Sequence, residues 1–189
     1  MIDAALGQMA GQLNQHLRLR YQVPDDLAVL SNLHEQSGAL VPQVANKLVL
    51  FLAGVERDTM AHRVGQSVSI NSQLRGADPV YLNLLVMCAA NFSGNNYPEA
   101  LKFLSSAISF FQGKPVIDHQ NTPELDERLE RLVLNIENLS SSEMHSLWGI
   151  HSGRYLPSVL YRVRMVSMDS QQIELRETPI HQTQTRGLS

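Results

Sequence analysis

One stretch constrains the fold more than any other: Trp148-Gly149-Ile150-His151-Ser152-Gly153-Arg154-Tyr155-Leu156-Pro157-Ser158-Val159-Leu160-Tyr161-Arg162-Val163-Arg164-Met165-Val166. It begins as a helix end carrying the only Trp, passes through Gly153, restarts at Pro157-Ser158 and then alternates. Successive side chains of a strand point to opposite faces, so Val159, Tyr161, Val163 and Met165 share one face and Leu160, Arg162, Arg164 and Val166 the other. The apolar face demands a packed layer. The two like charges on the opposite face repel unless acidic groups or a partner lie against them. Glu137, on the segment expected to form the preceding strand, is one candidate; a partner protein is the other. No catalytic group sits on the strand, so it reads as a docking surface.

The chain has 189 residues, 43% hydrophobic and 17% charged, with a net charge of −3. That length suits one domain, which we place at residues 1–169, followed by a loose polar tail at 170–189. The acidic balance and the scatter of Lys and Arg argue against a nucleic-acid partner held through phosphates. The single cysteine, Cys88, rules out an intrachain disulfide and a Cys-based zinc site. It lies within Leu84-Leu85-Val86-Met87-Cys88-Ala89-Ala90, which predicts a buried, inert thiol and suits a reducing compartment. Met1-Ile2-Asp3-Ala4-Ala5-Leu6 has neither the basic start nor the apolar core of a signal peptide. No apolar run approaches the roughly 20 residues of a membrane helix, so no membrane partner is expected.

Hydrophobic spacing places the other elements. Leu6, Met9, Leu13 and Leu17 predict an amphipathic helix over 2–19, with Asp3 as its cap. Leu27–Leu33 reads as a short strand and 34–42 as a loop. Gln43–Val55 becomes apolar on both faces, which predicts a central strand. Glu56 to Pro79 is polar and without a helical stripe, too long for an ordinary connection. The alternation of Val68 and Ile70 with Ser67, Ser69 and Asn71 leaves two readings open, a projecting arm used in assembly and a merely mobile loop. Val80–Asn91 is a second central strand. Tyr97–Gln112 is a helix with Pro98 in its first turn and Gly113 after its end. Pro115–Ile117 is an edge segment and 118–127 a polar loop. Arg131–Leu139 is a strand, and Ser140 with Glu143 forms a capping box that opens a helix over 140–149. The sum is an α+β fold: a mixed, mostly antiparallel sheet of four to six strands with helices packed on one face. Helices 97–112 and 140–149 are expected to share that face.

Catalytic, cofactor and metal sites are not expected. The seven histidines, His16, His34, His62, His119, His145, His151 and His181, are scattered and lack ligand spacing. Asp25-Asp26 and Glu124-Asp126-Glu127 lie in loops with nothing to raise a carboxyl pKa. Gly94-Asn95-Asn96 makes a turn before a helix without the glycines of a phosphate loop. The expected partner-facing residues are Arg57, Arg63 and Arg75 in the arm, Arg162 and Arg164 on the last strand, and Tyr155 at its start. For Trp148 and Tyr155 together, core packing with a corner hydrogen bond is the first reading and a partner contact the alternative.

Several segments together resemble a known family: Lys47-Leu48-Val49-Leu50-Phe51-Leu52, Pro79-Val80-Tyr81-Leu82-Asn83-Leu84-Leu85-Val86, Asn91-Phe92, Tyr97-Pro98-Glu99-Ala100-Leu101, Phe110-Phe111-Gln112-Gly113-Lys114-Pro115-Val116, Glu143–Trp148, and Tyr155-Leu156-Pro157-Ser158-Val159-Leu160-Tyr161-Arg162-Val163-Arg164. Over roughly residues 3–169 the chain resembles the N-terminal domain of the cap proteins of contractile injection systems, the phage-tail-like particles known as antifeeding prophages and virulence cassettes. The resemblance implies a tail-terminator-like fold and a structural, non-enzymatic role. It implies a homohexameric ring on the distal end of the inner tube, in contact with the last sheath ring. It also implies assembly in the bacterial cytoplasm and then residence in the contractile particle, with release from the cell left open. Two other readings stay open: a terminator or connector of a contractile-tailed phage, and a small ligand-binding or hydrolytic enzyme.

Overall fold

The computed structural model describes residues 1–35, 37–39, 41–59, 80–151 and 154–167. Among them, three helices and six strands follow in the order α1 (Ile2–Tyr21), β1 (Ala28–Leu30), β2 (Lys47–Arg57), β3 (Val80–Asn91), α2 (Tyr97–Gly113), β4 (Val116–Asp118), β5 (Leu129–Glu137), α3 (Ser141–Ile150) and β6 (Ser158–Ser167). The strands form one sheet in the order β1-β2-β3-β6-β5-β4. Only β1 and β2 run parallel; every other pair is antiparallel. The α+β fold with a mixed, mostly antiparallel sheet is therefore as the sequence predicts.

Strand alternation sorts the core into two layers. Leu48, Leu50, Leu84, Val86, Cys88, Tyr161, Val163 and Met165 point to one face. There they meet Leu6, Met9, Leu13 and Leu17 of α1 and Phe103, Ala107 and Phe111 of α2. Burial pushes the Cys88 thiol up to about 12, so the inert thiol expected from its apolar surroundings is what the fold provides. Val49, Phe51, Met87, Ala89 and Leu160 point the other way and pack with Trp148. Met144 and Leu147 of α3 lean on that second layer.

The placement of α3 differs from expectation. It lies on the sheet face opposite α1 and α2, because Trp148 is claimed by the odd-numbered residues of β2 and β3. Its start is as read: Ser140 accepts from the Glu143 backbone N–H, and the Glu143 carboxylate accepts from the Ser140 N–H. Two orphan donors are thereby satisfied. Trp148 is the buried side chain of this helix, and Met144 and Leu147 pack beside it on the same face.

β2 continues past its expected end. Residues Leu52 and Gly54 pair with Val86 and Leu85, leaving Ala53 without an opposite number. This bulge reverses the parity of everything after it. Without it, Glu56 would face α1 and α2. With it, Glu56 lies beside Asn83 on the face that carries Arg162 and Arg164.

Candidate partner-binding surface

That face, near the end of the sheet where β2, β3, β5 and β6 lie side by side, forms a polar cleft of about 360 Å³. Glu56, Arg57, Asp58, Thr59, Asn83, Asn135, Arg162 and Arg164 line it. Arg162 pairs in register with Leu85 of β3 and Asn135 of β5. Its Nε donates to Glu137 at 2.7 Å and its NH1 to Glu56 at 2.5 Å. One guanidinium thus ties β2, β5 and β6 together across β3. Arg164 reaches Asp58 at 2.7 Å. Asp58 is 2% exposed, and its backbone N–H donates to the Tyr81 carbonyl just beyond β2.

The repulsion between the two arginines is therefore answered inside the chain. The Glu137 contact was legible from the sequence; Glu56 and Asp58 were not, because their arrival depends on the bulge. The cleft holds three cationic and three anionic side chains, counting Arg57, Arg162 and Arg164 against Glu56, Asp58 and Glu137. It is balanced within itself and presents fixed charges of both signs to whatever meets it.

The hydrogen bond from Arg162 holds the Glu137 carboxyl below its ordinary value of 4.5, and raises the Arg162 guanidinium in turn. A lowered folded-state pKa means the unfolded chain binds the proton first as pH falls. The contribution of this contact is complete above the ordinary value of 4.5 and is lost as pH drops through the folded-state value. Urea midpoints measured from pH 7 down to 3 should fall more steeply for the wild type than for Glu137→Gln, with the two curves converging in acid. Parallel curves would show that the pair contributes nothing. Because both partners are part-exposed, the effect should shrink with added salt.

Tyr155 is 61% exposed and sits edge-on to the buried Trp148, with ring centroids 5.7 Å apart. Trp148 also meets His151, which contacts Phe51 at 4.8 Å between centroids. The aromatic chain Phe51–His151–Trp148–Tyr155 runs from the second core layer out to the surface, and Ile150 beside it is largely exposed. Desolvation lowers the His151 pKa, with a smaller push from His34. Trp148 is core, as predicted, and Tyr155 is surface. Arg57 is exposed at the end of β2. Arg63 and Arg75, with the rest of the proposed arm from residue 60 to 79, lie outside the described residues, as does the tail from 168 to 189. The strand β2 takes in Glu56 and Arg57, which the sequence had assigned to that arm.

Among the described residues, no group of three or more His, Cys, Asp or Glu side chains gathers in a way that could hold a metal. No helix among them is long and apolar enough to cross a membrane.

The sequence pattern described as the Pvc16 N-terminal domain matches residues 8–182. The chain belongs to the Pvc16 N-terminal domain family. In three dimensions this family member is similar to the tube-terminating cap of the anti-feeding prophage, solved by cryo-electron microscopy. The TM-score is 0.53 at 14% identity, over 93% of this chain and 59% of the cap. It is also similar to the sheath/tube terminator of an extracellular contractile injection system in its extended state. There the TM-score is 0.49 at 19% identity, over 94% of this chain and 64% of that one. The chain thus spans about three-fifths of the length of each structure it matches. No curated protein sequence matches it.

Proposed function

We propose that this chain is a structural cap: a terminator that seats on the last ring of tube and sheath in a phage-tail-like contractile injection system and ends polymerisation. The observation that carries this reading is the family match over 8–182, joined to a fold shared with a tube-terminating cap across 93% of the chain. The chemistry agrees. A growing tube end is a template that adds like subunits, and a terminator has to fit that end without reproducing it. A self-balanced charged cleft and an exposed aromatic suit a geometric fit between proteins better than they suit turnover of a substrate.

In this reading the subunits close into a six-membered ring through a heterologous interface, which limits itself once rotation is complete. Arg57, Arg162, Arg164 and Tyr155 face the partners, together with Arg63 and Arg75. The particle forms in the bacterial cytoplasm and is then released.

Particles assembled without this chain should lose their uniform length, seen as a broadened length distribution in negative-stain images. Returning the wild-type chain should restore it. Arg57→Glu combined with Tyr155→Ala changes two exposed side chains, so the variant should fold, with only the small fall in melting temperature expected from losing the Tyr155–Trp148 contact, yet restore length poorly. Uniform particles in the complete absence of the chain would end the terminator reading.

A further inference from the structure

Each outer strand of the sheet ends against an asparagine side chain, and the two arrangements are unrelated in sequence. In β1, the Leu27 carbonyl accepts from Leu48 N–H at 2.7 Å and Ser31 N–H donates to the Leu50 carbonyl at 3.2 Å. Leu27 and Ser31 therefore face β2, and by alternation the backbone groups of Ala28 face outward. Both are taken by Asn14 of α1. Its Oδ1 accepts from Ala28 N–H at 2.7 Å and its Nδ2 donates to the Ala28 carbonyl at 2.7 Å. Two bonds exchanged with one residue is the pattern of a hydrogen-bonded pair in an antiparallel ladder.

At the opposite edge, the Pro115 carbonyl accepts from Leu134 N–H at 2.8 Å, so Val116 and Asp118 turn their backbone groups away from β5. Asn121 occupies both. Its Nδ2 donates to the Val116 carbonyl at 3.0 Å and its Oδ1 accepts from Asp118 N–H at 3.3 Å. Bonding to the residues on either side of Ile117 is what a parallel neighbour would do. The amide is held in place: Asn121 N–H donates to the Asp118 carboxylate at 3.0 Å and the Thr122 hydroxyl donates to Asn121 Oδ1 at 2.9 Å.

We propose that Asn14 and Asn121 act as strand surrogates that close both outer edges of the sheet to addition of another protein chain. A primary amide carries the same donor and acceptor as a peptide group but has no chain to continue. It satisfies an edge and cannot propagate it. Edge strands are otherwise templates for pairing, and short edges alone only reduce that tendency. The proposal deepens the terminator reading, on which its purpose rests: a subunit seated at a polymer end gains from a sheet that nothing can extend sideways.

The test uses the purified full chain and three variants: Asn14→Ala, Asn121→Ala and the double variant. Hydrogen exchange at the Ala28 and Asp118 amides should quicken about tenfold where the matching asparagine is lost. Sedimentation velocity should show new, open-ended association that rises with protein concentration, strongest in the double variant, while the wild type keeps discrete species. Asn14 is buried and its loss can unfold the chain; Asn121 is exposed, so Asn121→Ala keeps the fold and carries the test alone. Asn121→Asp, which keeps one acceptor and loses the donor, should fall between. Faster exchange without any added association overturns the proposal, as does association that Val116→Lys at the same edge fails to suppress. A failed terminator reading would appear in particle length and leave these sedimentation results untouched.

Discussion

Phe111→Ala should destabilise the fold by about 3–5 kcal/mol, the range for removing a buried aromatic side chain. Phe111 is among the largest fully enclosed side chains. It is the contact through which α2 grips the centre of the sheet, with its ring 5.2 Å from that of Tyr161 in an edge-on arrangement. Tyr161 sits on β6 with strands on both sides, so a cavity there loosens the helix layer and the sheet together. For a chain of this size the melting temperature should fall by about 10 °C. The neighbouring Phe110 is the control. It is half-buried and stacks on His16 at 4.7 Å between centroids, so Phe110→Ala removes less enclosed area. Chemical denaturation of both variants decides the matter. Equal losses would mean that α2 is held by its edges and not through Phe111.

Deleting Ala53 should be nearly as damaging, for a different reason. The residue packs no large side chain, yet it is the extra member of the bulge between Leu52 and Gly54. Without it, either β2 slips by one against β3 or its outer end reverses its faces. In the second case Glu56 and Asp58 leave the cleft, and Arg162 and Arg164 lose those two counterions. The Arg164–Asp58 contact joins an almost fully enclosed carboxylate to a half-exposed guanidinium, and losing it should cost about 1–3 kcal/mol. The loss should be greatest at low ionic strength, where the uncompensated arginines are least screened. Ala53→Gly keeps the residue count and should cost less than 1 kcal/mol or so. Stability that is indifferent to the deletion, or to salt in the deleted chain, would show that the bulge does not set the cleft.

These two cases mark what the sequence could and could not disclose. Helices α1, α2 and α3 and strands β2, β3, β5 and β6 announce themselves, because each carries enough apolar residues at one period to have a single solution. The capping box of Ser140 and Glu143 and the apolar setting of Cys88 are local and equally legible. The face chosen by α3 was not, since nothing within Ser141–Ile150 says which side of a sheet Trp148 will enter. The bulge was invisible for a related reason: it shows only in the pairing with β3, and Ala53 has no composition that marks it. Glu56 and Asp58 looked like the start of a solvated loop, when the shifted register makes them the counterions of Arg162 and Arg164. Arg57 and Tyr155 are exposed at the ends of their elements, which alone says nothing of a partner. The asparagine amides at the sheet edges escaped notice because a single Asn in a helix or turn carries no signal until the strand beside it is known.

The position of β6 has a consequence for how the molecule is made. It is the last strand in order along the described residues, yet it lies between β3 and β5, with Val80 and Leu129 both set against Ser167. A nascent chain still on the ribosome holds two unconnected fragments, β1-β2-β3 and β5-β4, each with a raw inner margin. Long-range pairing of this kind is slow to form and leaves sticky surface exposed meanwhile. Only when synthesis has delivered Ser158–Ser167 can the halves be joined. Translation cut short before that point yields a product with no finished sheet, fit for chaperones and proteases and unable to compete for a place in an assembly.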